Sequence, residues 1–242
     1  MKKLLAIVTI LFAGALHGAA LGEVVNVYTS AQVAPLVTPD GKGVYPDLID
    51  YLNRQKLGEL SFKLIYLPRK RLQMKVENGE LDGIVIGMMP NWFGDAEQKK
   101  YLWTVPFAVD RYVIALPPGQ DHGSGTLAGK SLGMVLGYHY PDLEVWVRQQ
   151  GLVRADGPSD ELNLEKLRLG RVDGVAAAES VVRYHLKLHP GDRFQLLSVP
   201  SHQTERRFLV PHSHAAVYDK IAPVVRKLRD DPEWQRLMSQ YQ

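Results

Sequence analysis

A repeated pattern of polar and apolar positions organises this chain. Two segments, 72–86 and 162–177, each show a helical pattern that ends at a glycine and is followed by an Asp-Gly pair and an apolar run. Both contain Gly-x-[Leu/Val]-Asp-Gly-[Ile/Val], and the two copies begin at Gly79 and Gly170, 91 positions apart. Such a glycine is typical of the left-handed residue that closes a helix, and the short apolar run is typical of a buried parallel strand. The pattern therefore predicts two similar βαβ units.

The flanking segments complete two lobes. Apolar runs between turn residues predict strands, and helical spacing between start and stop signals predicts helices. The predicted strands are 61–67, 112–116, 131–136 and 207–210, and the predicted helices are 45–56, 140–150, 159–169, 213–229 and one that begins at Asp231. Proline-containing breaks at 117–119 and 199–201 indicate two crossings between the lobes. The predicted architecture is α/β, with lobe 1 formed by 21–110 plus 205–242, lobe 2 formed by 111–204, and two hinge crossovers between them.

The first 20 residues, 1–20, have the pattern of a secretory signal peptide. A cationic start that includes Lys2 and Lys3 precedes an apolar run of 13 residues. The following segment 17–20 then supplies small residues at both cleavage-determining positions. An uncleaved anchor is the alternative, but this run is shorter than the roughly 20 residues that span a membrane core. We expect cleavage after Ala20 or, failing that, after Gly22.

Composition and charge narrow the possible functions. The 242-residue chain has 45% hydrophobic and 23% charged residues, which is ordinary soluble globular usage. Its formal charge of +3 belongs largely to the leader, because cleavage removes two lysines and no acid and leaves 27 basic against 26 acidic residues. This balance argues against a nucleic-acid partner. The absence of cysteine excludes disulfides, thiolate metal sites and a lipidated N-terminus, so we expect a periplasmic protein without a membrane anchor.

No metal site, cofactor site or catalytic motif is predicted. His185 and His189 are spaced i, i+4, but no third ligand stands at a recognisable spacing, and scattered surface histidines are the favoured interpretation. The chain contains no phosphate loop, dinucleotide fingerprint or serine elbow. Asp82 and Asp173 occupy the same position in the two repeat copies, before a strand. Capping or turn formation is therefore favoured over an acid pair for catalysis.

With these features the chain resembles the periplasmic solute-binding proteins (family 3) that serve polar amino acid ABC importers. The resemblance covers essentially the whole mature chain. It rests on the order and spacing of five marks: Gly43-Val-Tyr-Pro-Asp47-Leu48, the segment 79–82, Trp103-Thr-Val-Pro106-Phe107, Gly129-Lys130-Ser-Leu-Gly133 and the segment 170–173. It implies a periplasmic-binding-protein-like fold of type II, in which two lobes close on a small-molecule ligand. An inner-membrane ABC permease or a sensor receptor would read the closed form, and we expect a monomer.

Candidate binding residues in lobe 1 follow predicted strands, since ligands bind beyond the carboxyl ends of strands in such folds. Tyr28 ends the first strand and could stack on a ligand, with core packing as the alternative. Arg69 and Arg71 follow the second predicted strand and could grip a carboxylate, with a solvated basic face as the alternative. By resemblance, Arg69 falls where many members place an aromatic residue that covers the ligand.

One position departs from the family. Members usually carry an arginine six residues before the aromatic at Trp103, and this arginine holds the α-carboxylate of an amino acid. Here that position is Glu97, so the ordinary clamp is absent. Four basic residues are candidates to replace it: Arg69, Arg71, Lys99 and Lys100.

The loop that begins at Met88 is also unusual. It runs to Gly94, looks about three residues longer than in the family, and is unusually apolar. Met88 and Trp92 are therefore predicted to line an adaptable pocket, with simple loop packing as the alternative.

Candidate residues in lobe 2 occupy two family positions. The family has a Gly-Ser-Thr turn where this chain has Gly137, Tyr138 and His139, at a helix start whose exposed N–H groups favour anions. We expect Tyr138 and His139 to reshape that pocket. Glu179 stands where the family places an aspartate that pairs with the ligand's amino group, and a solvated acid at a helix start is the alternative.

These observations predict a binding protein for a small polar solute, an amino acid or a related amine or carboxylate metabolite, with no catalytic residue. One alternative is an enzyme of the same fold, such as a cyclohexadienyl-type dehydratase, with Glu179 or His139 as acid or base. A stand-alone ligand sensor that docks on a receptor is the other.

Overall fold

The structure is a computed structural model that describes residues 22–119, 127–138, 140–199 and 203–241. The predicted leader, the candidate His139 and part of the second predicted break lie outside the described residues. Within these ranges, no helix is long and apolar enough to cross a membrane.

The described elements alternate between strands and helices. In chain order they are β1 (Val24–Thr29), α1 (Val44–Arg54), β2 (Ser61–Tyr66), α2 (Arg69–Glu77), β3 (Gly83–Met88), β4 (Leu102–Trp103), β5 (Ala108–Asp110), β6 (Tyr112–Leu116), β7 (Ser131–Val135), α3 (Pro141–Gln149), β8 (Val153–Gly157), α4 (Asp160–Arg168), β9 (Gly174–Ala178), α5 (Glu179–Leu188), β10 (Gln195–Ser198), β11 (Thr204–Val210), α6 (Ala215–Lys227) and α7 (Pro232–Met238). Short 3₁₀ turns, including Pro90–Phe93 after β3, complete the described elements.

Two sheets form the centres of the two lobes and share one arrangement. The first has the order β2-β1-β3-β11-β4, with β5 also paired to β11, and the second has the order β10-β6-β9-β7-β8. In each sheet a central strand, β1 or β7, pairs in parallel with two neighbours, and an antiparallel strand follows on one side. β11 belongs to the first sheet but follows all strands of the second sheet in the chain. This is the connectivity expected if lobe 2 is inserted into lobe 1. The exact lobe boundaries stay a prediction.

The repeat produces equivalent elements in both lobes. Gly79 and Gly170 follow α2 and α4 with φ of 69° and 65°, the left-handed conformation predicted for them. The backbone N–H of Ser131 donates to Asp173 at 2.7 Å, and the Asn26 amide donates to Asp82 at 3.3 Å. Each aspartate thus ties the start of β3 or β9 to the central strand of its sheet. Both aspartates are structural, but their bonds join neighbouring strands and are not the caps or turns that were predicted.

Both sheets are covered by helices on two faces. In lobe 1, α1, α6 and α7 pack on one face around Leu48, Ile84 and Phe208, and α2 packs on the other around Leu72 and Val85. In lobe 2, α4 and α5 cover one face and α3 covers the other. Because helices cover both faces of each sheet, a polar site is expected at the strand ends and in the loops that follow them.

Asp95 organises the long loop between β3 and β4. Its buried carboxylate accepts hydrogen bonds from the Trp103 indole at 2.7 Å and from the backbone N–H groups of Lys99, Lys100 and Tyr101 at 2.7–3.2 Å. Burial alone would raise the pKa of Asp95, but these donors outweigh it and lower the pKa. The loop is therefore a rigid support for what lies on it.

Asp95→Asn is expected to lower the free energy of unfolding by about 2 kcal/mol, since a neutral amide accepts less well from four donors. A depressed pKa means that this stabilisation is present at neutral pH and is lost as the pH falls through the folded-state pKa. Urea unfolding at pH 7 and at low pH measures both. The exposed Asp50→Asn on α1 is the control, and an equal loss in both variants would contradict the role given to Asp95.

Candidate ligand-binding cleft

The two sheets present corresponding edges to one another. Lobe 1 contributes the carboxyl ends of β1, β2 and β3 and the beginning of β11, which runs antiparallel so that Arg207 pairs with Met88. Lobe 2 contributes the carboxyl ends of β7, β8 and β9. Electrostatic contacts of Arg69 with Tyr138 and of Arg206 with Asp160 cross between these edges. We call the space between the two edges the cleft.

Arg69 is held in the cleft by an aromatic cradle. Its guanidinium carbon lies 5.0 Å from the Trp92 ring centroid and 5.5 Å from that of Phe93, and Nη1 donates to the Met88 sulfur at 3.0 Å. Burial lowers the pKa of Arg69, and Tyr138 across the cleft opposes this effect. No acid pairs with Arg69 among the described residues. Stacking on aromatic faces suits a guanidinium and fixes its plane, which leaves donors available for an anion.

The structure separates the other lobe 1 candidates from this cradle. Tyr28 is 7% exposed and donates from its hydroxyl to Asp82 at 2.5 Å, so core packing accounts for it. Arg71 is exposed and lies about 200° around α2 from Arg69. Met88 is buried beneath Arg69, whereas Trp92 is 36% exposed. The loop 88–94, which was predicted to line a pocket, thus supports Arg69 and exposes part of the Trp92 ring.

The family's usual arginine position does not reach the cleft. Glu97 and Lys99 form an ion pair at 3.3 Å, with both side chains 78% exposed. Lys100 is also exposed. Because these side chains are solvated, neither lysine replaces the missing clamp.

Arg206 is a cleft residue that sequence reasoning missed. It lies on β11 at the floor of the cleft, and its Nη1 donates to the Tyr45 hydroxyl at 3.3 Å. Its Nε is buried and has no hydrogen-bond partner. Burial tends to lower the pKa of Arg206, but nearby Tyr45, Tyr112 and Asp110 raise it overall. In the sequence its only signal was the basic pair Arg206-Arg207, next to the predicted strand 207–210 that follows the second predicted crossing between the lobes.

Asp160 is the second residue that was missed. It is the first residue of α4, directly after the helix cap Ser159, so it looked like an ordinary acid of a first helical turn. The structure instead places it, partly buried, just beyond the carboxyl end of β8 at the edge of lobe 2. Burial raises the pKa of Asp160 to about 6, and Arg206 opposes the rise.

Glu179 already has partners in the structure. Arg111 Nε donates to one carboxylate oxygen at 2.5 Å, and Arg183 pairs with the other. Hydrogen bonding by Arg111 is the main cause that lowers the pKa of Glu179. Glu179 is the first residue of α5, and its carboxylate reaches Arg111, the residue between β5 and β6. This arrangement satisfies Glu179 without a ligand, and its pairing with a ligand's amino group stays a prediction.

Two backbone N–H groups near the predicted anion site at the start of α3 are already hydrogen-bonded within the chain. The N–H of Tyr138 donates to Val135 at 3.2 Å, and the N–H of Tyr140 donates to the Glu144 carboxylate at 3.1 Å. The Tyr138 side chain is 45% exposed and faces Arg69. Tyr138 therefore contributes a side chain to the cleft, and the backbone of Tyr138 and Tyr140 does not supply a free anion site.

The paired histidines are not simple surface residues. His185 is buried, with its Nε2 2.8 Å from a carboxylate oxygen of Asp192 and its ring 4.4 Å from that of His189. No group of three or more metal-ligating side chains is found in the described part of the chain. The expectation of scattered surface histidines is wrong for His185, which joins α5 to the loop after it.

No protein-family model and no curated protein sequence matches the chain. Many solved structures do. An ancestral arginine-binding protein bound to arginine matches with a TM-score of 0.69 and 17% identity, over 90% of this chain and 97% of that chain. The periplasmic domain of BvgS from B. pertussis matches with 0.68 and 19%, over 90% and 42%. The substrate-binding protein of an amino acid ABC transporter matches with 0.65 and 19%, over 90% and 99%.

These matches show the fold. The chain has the fold of the type II periplasmic binding proteins, with two α/β lobes, as the repeat predicted.

Proposed function

We propose that this protein reversibly binds a small polar solute, an amino acid or a related amine or carboxylate metabolite, between its two lobes. The observation that carries the proposal is Arg69, fixed by Trp92 and Phe93 without an acid partner and facing Tyr138 of the other lobe. A buried cation of this kind is suited to receive the carboxylate of a ligand.

Binding would couple to closure because the contacts come from both lobes. A ligand held by Arg69 meets Tyr138 and Asp160 only when the edges approach, so it favours the closed form by its differential affinity. The chain passes directly from β5 to β6 through Arg111, and this short crossover can act as a hinge. The residues that bind the ligand would therefore also couple its binding to closure of the two lobes.

Delivery to an ABC importer is the cellular role that we propose. The predicted leader supports a periplasmic location, and the absence of cysteine supports release without a lipid anchor. The solved structure of an amino acid ABC transporter's binding protein covers almost the same length as this chain. A permease that recognises the closed lobes would then take up the solute.

A sensor role is the second candidate. The likeness to the periplasmic domain of BvgS shows that this fold also occurs as part of a longer chain. The cleft would be used in the same way, and only the docking partner would differ. Uptake of the ligand by a deletion strain separates the two: loss of uptake supports transport, and intact uptake with lost signalling supports sensing.

Thermal shift of the full chain against amino acids, opines, polyamines and small organic acids tests the binding function. A ligand at 100 times its Kd should stabilise the fold by about 2.7 kcal/mol, which raises the Tm by roughly 5–10 °C. Calorimetry and product analysis follow for each hit. Saturable binding with unchanged ligand supports the proposal, whereas turnover would support the dehydratase alternative and no binding would refute both.

Arg69→Ala is expected to weaken the best ligand more than about 30-fold, because truncation leaves a desolvated ligand charge unpaired. Arg71→Ala, two residues along α2 and exposed, is the matched comparison and should change Kd by less than about twofold. Isothermal titration measures both. Equal effects of the two substitutions would refute the assigned position of the site.

A further inference from the structure

Most charged groups around the cleft are already neutralised within the protein. Glu179 pairs with Arg111 and Arg183, and Glu205 pairs with Arg207. Apart from Asp110, whose carboxylate accepts hydrogen bonds from Ser180 and the Arg111 N–H, three charged groups at the facing edges form no ion pair among the described residues: Arg69 and Arg206 of lobe 1 and Asp160 of lobe 2. These three groups are free to select a ligand.

We infer that Arg206 and Asp160 are the charge anchors of the ligand and that, together with Arg69, they select an amino dicarboxylate. The inference rests on the proposed binding function and names its substrate class. Two unpaired cations and one unpaired anion are complementary to a solute with two carboxylates and one ammonium group.

Arg206 has the properties of a preformed carboxylate anchor. It is partly buried, its Nη1 donates to the Tyr45 hydroxyl, and its buried Nε has no acceptor. Asp110 lies near enough to affect its charge, but the Asp110 carboxylate already accepts from the Ser180 hydroxyl at 2.5 Å and from the Arg111 N–H at 2.9 Å. A buried guanidinium donor without an acceptor is costly unless a ligand supplies one.

Asp160 has the complementary properties for an ammonium group. It begins α4 just after β8 ends at Gly157, at the edge of lobe 2, and it forms no ion pair among the described residues. It interacts electrostatically with Arg206 from β11, Tyr112 from β6, and Tyr138 and Tyr140 from the segment after β7. The tyrosines are neutral, so no second cation occupies the carboxylate. A ligand ammonium placed there would be bridged to Arg206 through the ligand's own carboxylate.

Arg69 then receives the second carboxylate. It begins α2 just after the carboxyl end of β2, and it interacts electrostatically with Tyr138 of lobe 2. A neutral side chain at this place would leave its guanidinium desolvated and unpaired when the lobes close. A basic side chain would be repelled as well.

Calorimetric titration of the full chain with four probes tests the inference: L-glutamate, L-glutamine, glutarate and L-arginine. L-Glutamate is expected to bind at least about tenfold more tightly than each of the other three, since each lacks or reverses one charge. Tighter binding of L-glutamine or L-arginine that still depends on Arg69 would overturn the charge selection and leave the binding function intact. No binding of any amino acid or acid would overturn both.

Three substitutions at two positions assign the anchors. Asp160→Asn should weaken L-glutamate more than about 30-fold while changing glutarate, which has no ammonium, by less than about threefold. Arg206→Met should weaken both probes, and Arg206→Lys should recover part of the affinity for both if the charge is what matters. Circular dichroism and Tm establish folding, and the exposed Arg148→Ala on α3 is the surface control. Equal losses for both probes in Asp160→Asn would overturn its role as the ammonium anchor.

Discussion

Gly83→Ala is expected to destabilise the protein by about 3 kcal/mol. Gly83 opens β3 and pairs with Asn26 of β1 in the centre of the lobe 1 sheet. A Cβ at this position would lie 3.0 Å from the Asn26 carbonyl carbon and closer still to its oxygen. Because both contacts are with backbone atoms of a central strand, neither can be relieved by a side-chain rotation.

The repeat supplies a matched control in lobe 2. Gly174 occupies the same place in the second copy of the motif, but its added Cβ would meet the terminal Leu116 methyl carbon at 2.9 Å. That methyl group can move, so Gly174→Ala should cost only about 1 kcal/mol. Urea unfolding of the two variants under identical conditions measures the difference. Equal losses would mean that the motif, and not the contact with Asn26, determines the cost.

The repeat also shows what the sequence could predict well. Local signals were enough for the elements: a glycine at 79 or 170 has the same left-handed conformation wherever its helix packs. The helix predicted at 45–56 is observed at Val44–Arg54, and the strand predicted at 112–116 is observed at the same residues. The presence of two similar lobes followed from recognising the repeated unit, whereas the strand order of each sheet was not predicted. These inferences depend on neighbours within one turn or one strand.

The site was harder to predict because it depends on contacts between distant residues. Arg69 was found from its place after a strand, but its cradle depends on a 3₁₀ turn more than 20 residues later in the chain. Glu179 was assigned by position within a family pattern, and the hinge arginine Arg111, 68 positions earlier, neutralises it. Arg206 has no local feature that distinguishes it from Arg207. Only the antiparallel pairing of β11 decides which one faces Tyr45 and the cleft.

Asp160→Asn is expected to make the ligand-free protein more stable at neutral pH, by roughly 2–3 kcal/mol. The pKa of Asp160 is raised by burial from 3.8 to about 6 in the folded protein. An acid with a raised pKa contributes stability that is fully present below the unfolded value and is lost as the pH rises through the folded value. The wild-type protein should therefore lose this contribution between about pH 4 and pH 6, and the amide variant should not.

Ionisation of Asp160 lowers the stability of the ligand-free protein but favours binding of a ligand ammonium group. Above pH 6 the ionised carboxylate destabilises the empty cleft, and a ligand ammonium group would restore the lost interaction. Affinity for an amino dicarboxylate should then fall more steeply below about pH 6 in the wild type than in Asp160→Asn, which lacks the titrating carboxyl group. Urea unfolding at pH 4 and pH 7.5, with titrations at the same values, measures both effects. If Asp160→Asn has the stability of the wild type at pH 7.5, the carboxyl group is not desolvated and loses its special role in the cleft.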